Sequence, residues 1–389
     1  MNVEFEFLSE EPLENVVTCM NYRMDKAVFF GFHEIVERRK ASTEAFLKDY
    51  CGVQRVVFHT LSRGKLDSTL DMMRKAIELE LGQKNNLFFD ITGGQSVILV
   101  AFGMLAREFR LPVHFYDIET NKLTELETGA GKQMSELAPE SGFRLDLDKY
   151  IRLQGGVINY TLQKDLKGQA AEENAEDLGK LWEIAERHHT HWNAFSEFLR
   201  NNMVPDDHLM VHKRAVGVLE ALYASTSGVN SLHRLQVILE DLADAGIITG
   251  LQYDDDIYEF SFKNEILKDC IWDSGSILEL HIYELEKKNS DDCRVGVHLD
   301  WDGVIQGPVG IDVQNEIDVL KLEGNIPTFI SCKSGNLNAT QTLRALYELQ
   351  TIADRFGGKY AKKVLVVQQD IGKAYMFRSK EMEIEVIRI

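Results

Sequence analysis

Short apolar runs with strand character recur through the first third of the chain: Val16–Met20, Ala27–Gly31, Arg55–Thr60, Leu87–Ile91 and Val113–Asp117. Between them the apolar residues fall at helical spacing. Strands that alternate with helices predict a mostly parallel sheet covered by helices on both faces. Further along, Leu178–Leu199 and Val211–Tyr223 carry helical periodicity, and Leu232–Ala245 leads through Gly246-Ile247-Ile248 to a strand-like Ile257–Phe262. Asp165–Asp177 is polar and rich in Ala, Glu, Lys and Asp, as an exposed helix or a linker is. The last third opens with a helix expected over Gly275–Lys288, with Leu278, Ile282 and Leu285 inward. Two strands follow, Asn315–Leu322 and Ile326–Lys333, joined around Gly324-Asn325. That dipeptide between alternating apolar residues is a hairpin signal.

The hairpin concentrates chemistry on one surface. Side chains alternate faces along a strand, so Glu316 and Asp318 share a face, as do Ser331 and Lys333. With the turn centred on Gly324-Asn325, Asp318 lies opposite Ser331 and Glu316 opposite Lys333. Ile317, Val319, Ile330 and Cys332 then bury the other face. Carboxylate and carbonyl oxygens hold a hard cation such as Mg²⁺ or Mn²⁺, which polarises a phosphate and acidifies a water. A neighbouring lysine orients that water or stabilises the charge that develops on the phosphate. The upstream helix offers a further carboxylate, Glu279. Taken alone, acidic and basic residues facing across a hairpin are also what an ordinary solvated salt bridge looks like.

A second feature lies in the first third. The apolar strand ending at Ile91 runs into Thr92-Gly93-Gly94-Gln95-Ser96 and then a helix from about Val97 to Phe109. A glycine pair there lets backbone approach a ligand closely, and the helix N-terminus presents free N–H groups suited to phosphate. Gly-Gly by itself equally fits a plain strand-to-helix turn.

Composition narrows the class. A chain of 389 residues with 44% hydrophobic content can bury two or three cores. The start, Met-Asn-Val-Glu-Phe-Glu, lacks the basic and apolar regions of a signal peptide, and no apolar run approaches a membrane span. Cysteines at 19, 51, 270, 293 and 332 show no paired metal spacing and suit reduced thiols, so a cytoplasmic protein without membrane contact is expected. Cys332 reads as packing rather than as a nucleophile. His188, His189 and His191 read as an exposed polar patch. The net charge of −19 speaks against a general nucleic-acid coat. A local cleft is not excluded, and Lys287, Lys288, Lys333, Arg344, Lys359, Lys362 and Lys363 are candidate phosphate contacts.

Taken together, these motifs resemble known families. The segment with Ile277-Leu278-Glu279, the hairpin from Asn315-Glu316-Ile317-Asp318-Val319 to Ile330-Ser331-Cys332-Lys333, and Arg355-Phe356-Gly357-Gly358-Lys359 before Lys363–Val367 resembles the PD-(D/E)xK nucleases. It is most similar to the CRISPR-associated nucleases that couple such a domain to a CARF sensor. Thr92-Gly93-Gly94 is similar to the Thr-Gly-Gly-Thr-Lys turn of CARF domains, with Gln95-Ser96 in place of the Thr-Lys pair. The resemblance implies an α/β chain in three parts. These are a Rossmann-like CARF domain over 1–145, a helical, winged-helix-like connector over 146–270, and a restriction-endonuclease-like PD-(D/E)xK domain over 271–389. It implies catalytic Glu279, Asp318 and Lys333. Mg²⁺ or Mn²⁺ would be held by Glu279, Asp318 and the backbone carbonyl of Cys332, with Glu316 as a further candidate. Ser331 stands where the family usually has an acid, and Glu316 or Glu348 is the residue that could make up the charge.

The implied activity is metal-dependent endonucleolytic cleavage of DNA or RNA in type III CRISPR antiviral defence, switched on by cyclic oligoadenylate, above all cyclic tetra-adenylate. The activator is placed on Thr92, Gly93, Gly94 and Gln95, with Asn21 and its neighbours, read as the loop after the first strand, lining the pocket. A ring of near-twofold symmetry is best held by two copies of one half-site, which predicts a homodimer. Two other readings stay open: a non-catalytic CARF transcriptional regulator acting through the winged-helix-like region, and a stand-alone restriction-type endonuclease. The helix at 232–245 is acidic, against the regulator.

Overall fold

The computed structural model describes residues 1–64, 66–128, 134–140, 142–160, 172–224, 232–273, 275–305 and 314–389. The chain divides into two compact units, Met1–Val157 with Gly324–Ile326 and Arg355–Tyr360, and Ile158–Glu323 with Pro327–Asp354 and Ala361–Ile389. In the first unit the strands are β1 (Asn2–Phe7), β2 (Lys26–Phe32), β3 (Arg55–Leu61), β4 (Asn86–Asp90), β5 (Val113–Asp117), β6 (Lys122–Leu126) and β7 (Met134–Leu137). They lie in the order β3-β2-β1-β4-β5-β6-β7. Strands β1 to β5 are parallel, and β6 and β7 add antiparallel edges. The winding reverses between β1 and β4, which puts the switch point of a Rossmann-like sheet at their C-terminal ends.

One expected strand is a helix. Val16–Met20 is β-branched and apolar, yet Val17–Asn21 is helical with Val17, Thr18, Cys19 and Met20 buried. The first strand is instead Asn2–Phe7, whose two glutamates disguise it. As a central strand β1 is covered on both faces, so Glu4 and Glu6 are 0% and 2% exposed although their alternation with Val3, Phe5 and Phe7 resembles a half-solvated edge. Phe5 meets Phe30 and Phe89 at ring distances of 6.1 and 5.7 Å, and Phe89 meets Phe102 of the helix Ser96–Phe109 at 4.9 Å. The helix Val17–Asn21 packs on the opposite face, where Thr18 and Cys19 donate hydrogen bonds to Asp90 and Glu4.

The second unit is built on strands β8 (Val157–Ile158, at its boundary), β9 (Met210–Arg214), β10 (Ile248–Tyr253), β11 (Ile257–Phe262), β12 (Asp292–Asp300), β13 (Gln314–Glu323), β14 (Ile326–Lys333), β15 (Lys362–Val367) and β16 (Ile384–Arg388). A small sheet has the order β10-β11-β9, and the larger one runs β16-β15-β14-β13-β12-β8. Helices Ala175–Arg187, His189–Asn202 and Leu232–Asp244 share one hydrophobic core with the larger sheet, in which Leu181, Phe195 and Leu239 join Val319, Ile330 and Cys332. Of the polar stretch Asp165–Asp177, residues 165–171 lie outside the described residues.

The helix Ser276–Glu286 buries Ile277, Leu278, Leu280, Ile282 and Tyr283, but Leu285 is 46% exposed, against expectation. This helix is packed on two flanks, against Ala175–Arg187, where Trp182 stacks on His281 at 4.2 Å, and against β12 and β13. Its last turn passes into a 3-10 turn at Lys287–Asn289, two residues beyond Leu285. No helix among the described residues is long and apolar enough to cross a membrane.

Candidate functional site

The hairpin β13–β14 turns at Gly324, whose φ of +61° suits glycine, and brings the expected side chains together. The carboxylate oxygen Oδ2 of Asp318 accepts hydrogen bonds from the backbone N–H of Cys332 at 2.6 Å and the Ser331 hydroxyl at 3.1 Å. The Lys333 ammonium donates to the same oxygen at 3.4 Å. Ile317, Val319, Ile330 and Cys332 are buried on the other side of the sheet. The alternation holds for the apolar face, but the face of Asp318 and Ser331 is itself buried at Leu320, Leu322 and Phe329, and the Lys333 side chain, expected opposite Glu316, reaches Asp318. Ser331 supplies no charge, but its hydroxyl helps to fix the direction of the Asp318 carboxylate.

The other acids are placed differently. Glu279 lies in the first turn of the helix Ser276–Glu286, half-buried, on an element packed against β12 and β13. Glu316 is exposed on β13, across from His298 of β12. Glu348 is engaged by Arg344 one turn away at 2.6 Å. Among the described residues no group of three or more His, Cys, Asp or Glu side chains converges to hold a metal. What remains as a donor set is carboxylate and backbone carbonyl oxygen, the ligand type that hard divalent cations take. Several candidate phosphate contacts already have carboxylate partners: Lys287 with Glu172, Lys359 with Glu14 and Lys363 with Asp354. In the histidine group, His188 bonds to Asp241 at 2.7 Å and His191 faces Arg234.

In the first unit, β4 ends at Asp90 and the turn Thr92–Gln95 leads into the helix Ser96–Phe109. Both glycines are required by the protein's own packing. A Cβ on Gly93 would lie 2.5 Å from Glu14 Oε2, and one on Gly94, at φ +129°, would lie 3.1 Å from Phe7 and Leu99. Thr92 is tied down, its N–H to Asp90 at 2.6 Å and its hydroxyl accepting from the Tyr116 N–H at 2.9 Å. Gln95 caps the helix without a side-chain capping bond and lines a cavity of about 340 Å³ with Phe32, Ser62, Arg63, Gly64, Leu66, Thr69, Val97 and Ile98. Asn21 ends the helix Val17–Asn21, its side chain donating to the Val17 carbonyl at 2.8 Å. The loop that follows the first strand is Leu8–Val16 instead, and it is the one that brings Glu14 against the turn.

Sequence reasoning missed the carboxylates beneath this turn. Burial and the charge of Asp90 push the Glu4 carboxyl up to about 8. Burial, then Asp90, Glu4 and Glu14, raises Glu6 well above the usual carboxylate range. Asp90 is raised by burial while bonds from Thr18 and Thr92 oppose the shift. The signal was present as Asn2-Val3-Glu4-Phe5-Glu6-Phe7, an alternating strand with acids at every second place.

No protein-family model and no curated protein matches the sequence. Among solved structures, the protein VC1899 from Vibrio cholerae superposes with a TM-score of 0.74 at 17% identity, covering 100% of this chain and 94% of that one. Can2 from Sulfobacillus thermosulfidooxidans, in complex with cyclic tetra-adenylate, superposes with a TM-score of 0.66 at 14% identity, covering 99% of this chain and 93% of that one. The chain therefore shares its fold with both along nearly its whole length.

Proposed function

We propose that this protein is a metal-dependent endonuclease of type III CRISPR defence, switched on by cyclic oligoadenylate. The observation that carries the reading is the convergence of the Cys332 N–H, the Ser331 hydroxyl and the Lys333 ammonium on one oxygen of Asp318. A half-buried carboxylate fixed by three donors, one of them a lysine, supports the reading of this hairpin as a PD-(D/E)xK-type site. Full-length likeness to Can2, whose structure holds cyclic tetra-adenylate, supports the activator.

Asp318, Glu279 and the backbone carbonyl of Cys332 are the groups that would hold Mg²⁺ or Mn²⁺. Such a cation supplies charge neutralisation at the scissile phosphate and acidifies a water. The chain's own residues do the rest. Cys332 and Ser331 keep the Asp318 carboxylate from swinging away. Lys333 donates toward the phosphate oxygens, where negative charge grows in the transition state.

The activator is proposed to sit at the switch point beside Thr92–Gln95, with the protein as a homodimer. Val97, Val100 and Met104 are exposed at i, i+3 and i+7 on the helix that starts at this turn, an apolar stripe suited to a second copy. Packing there would bring two turns side by side around one ring. Plasmid DNA and RNA would be incubated with the protein and Mg²⁺ or Mn²⁺, with and without each cyclic oligoadenylate. Cleavage that needs both metal and one ring size is expected; cleavage indifferent to every ring would leave only the nuclease half standing.

A further inference from the structure

The turn Thr92–Gln95 carries no lysine or arginine, so a phosphate placed there would meet only uncharged donors from it. The cavity that Gln95 lines supplies what the turn lacks. Its described lining holds Arg63, with Ser62, Thr69 and Gln95 as further polar groups, and no carboxylate. Phe32, Leu66 and Ile98 give it an apolar wall. The Arg63 guanidinium lies 4.4 Å over the Phe32 ring, which fixes its plane. Along its edge it is held by Glu34, through Nε at 3.0 Å and through Nη2, both onto Oε1.

We propose that Arg63 is the phosphate-binding cation of the sensor site, and that Glu34 occupies it until a phosphodiester takes its place. The proposal rests on the reading of this unit as a nucleotide sensor, and it names a residue outside the turn as the main source of affinity. Three features support the exchange. The side chains of Arg63 and Glu34 are 61% and 53% exposed, and an ion pair that open to water is weak enough to be displaced. A phosphodiester presents two oxygens with the same spacing that a guanidinium fork prefers, so it can use both the nitrogens that Glu34 uses. The cavity, at about 340 Å³, is at the small end of ligand pockets and takes one nucleotide unit rather than a whole ring. One unit per copy is what a twofold-related pair of sensors needs.

Glu34 makes the idea sharp, because a carboxylate that competes with the ligand predicts a gain on removal. Cyclic tetra-adenylate binding would be measured by calorimetry on the full chain for the unaltered protein, Arg63→Gln, Arg63→Lys and Glu34→Gln. Losing charged hydrogen bonds to phosphate should weaken binding by about 10-fold or more in Arg63→Gln. Arg63→Lys should recover part of it, and Glu34→Gln should bind several-fold more tightly than the unaltered protein. Melting curves on the same samples check that each variant is folded, which these exposed positions favour. Ligand binding by the unaltered protein with equal affinity in Arg63→Gln overturns the role of Arg63 and leaves the sensor reading intact. Weaker binding in Glu34→Gln overturns the competition, because Glu34 would then be a positioning residue for Arg63. An unaltered protein that binds no cyclic oligoadenylate removes the sensor reading, and the inference goes with it.

Discussion

Asp318 anchors the hairpin and, in the proposed site, would also hold the metal; a substitution separates the two. Asp318→Ala removes the carboxylate and leaves the Cys332 N–H facing a void, so a stability loss of about 1–3 kcal/mol is expected alongside loss of cleavage. Asp318→Asn retains an oxygen for that N–H, so it should melt near the unaltered protein while still failing to cut. Full turnover in Asp318→Asn at matched metal and activator would remove the residue from the active site. Lys333→Ala should keep the fold and lower the rate by roughly 10²-fold, the scale of one lost transition-state donor. Glu4 gives a pH prediction. Its carboxyl is raised to about 8 in the folded chain, so the native state holds a proton there that the unfolded chain releases at lower pH. That contribution is complete below the ordinary carboxylate range and is lost as pH rises through about 8. Denaturant titrations from pH 5 to 9 should show stability falling with pH, and Glu4→Gln should flatten the fall. A Glu4→Gln profile parallel to the original would place the titrating proton elsewhere.

At the level of elements, the turn Thr92–Gln95 is a packed joint as well as a candidate ligand surface. Gly94→Leu, at φ +129° and against Phe7 and Leu99, should destabilise the first unit by more than the roughly 1–3 kcal/mol of backbone strain alone. It cannot report on ligand binding by itself. Gln95→Ala is the cleaner probe, since its side chain makes no capping bond. It should leave the melting temperature nearly unchanged and weaken the response to activator. Full sensitivity in Gln95→Ala would move the ligand off this turn. The hairpin β13–β14 buries Ile317, Val319, Ile330 and Cys332 as its spacing predicts, because a one-residue slip would turn that set to the other face. Val16–Met20 does not follow its pattern. Its residues suit a strand in isolation, but the sheet already holds Asn2–Phe7 in the central place, and a buried helix satisfies the backbone of Val17–Asn21 internally.

For the molecule as a whole, charge and the apolar stripe pull in opposite directions. A net charge of −19 makes two copies repel, while Val97, Val100 and Met104 offer a surface that water disfavours. Dimerisation, if it uses this helix, should therefore strengthen with moderate salt as repulsion is screened. Val100→Glu should shift the protein to monomer in sedimentation velocity and blunt activation by cyclic oligoadenylate. A Val100→Glu protein that stays dimeric would place the interface on another surface.

Local spacing was enough to find the strands at Ala27–Gly31, Arg55–Thr60, Leu87–Ile91 and Val113–Asp117, the two strands of the hairpin, and the nearness of Ser331 to Asp318. Each of these depends on residues close in sequence or joined by a short turn, where periodicity and turn chemistry leave few alternatives. Tertiary structure decided the rest. It buried Glu4 and Glu6 in a central strand, made a helix of Val17–Asn21, and put the helices Ala175–Arg187, His189–Asn202 and Leu232–Asp244 in one core with the larger sheet. It also brought Arg63, from the end of β3, into one cavity with Gln95, which follows β4. Burial and long-range proximity depend on which distant segments arrive to cover a face, and no local pattern of polar and apolar residues records that.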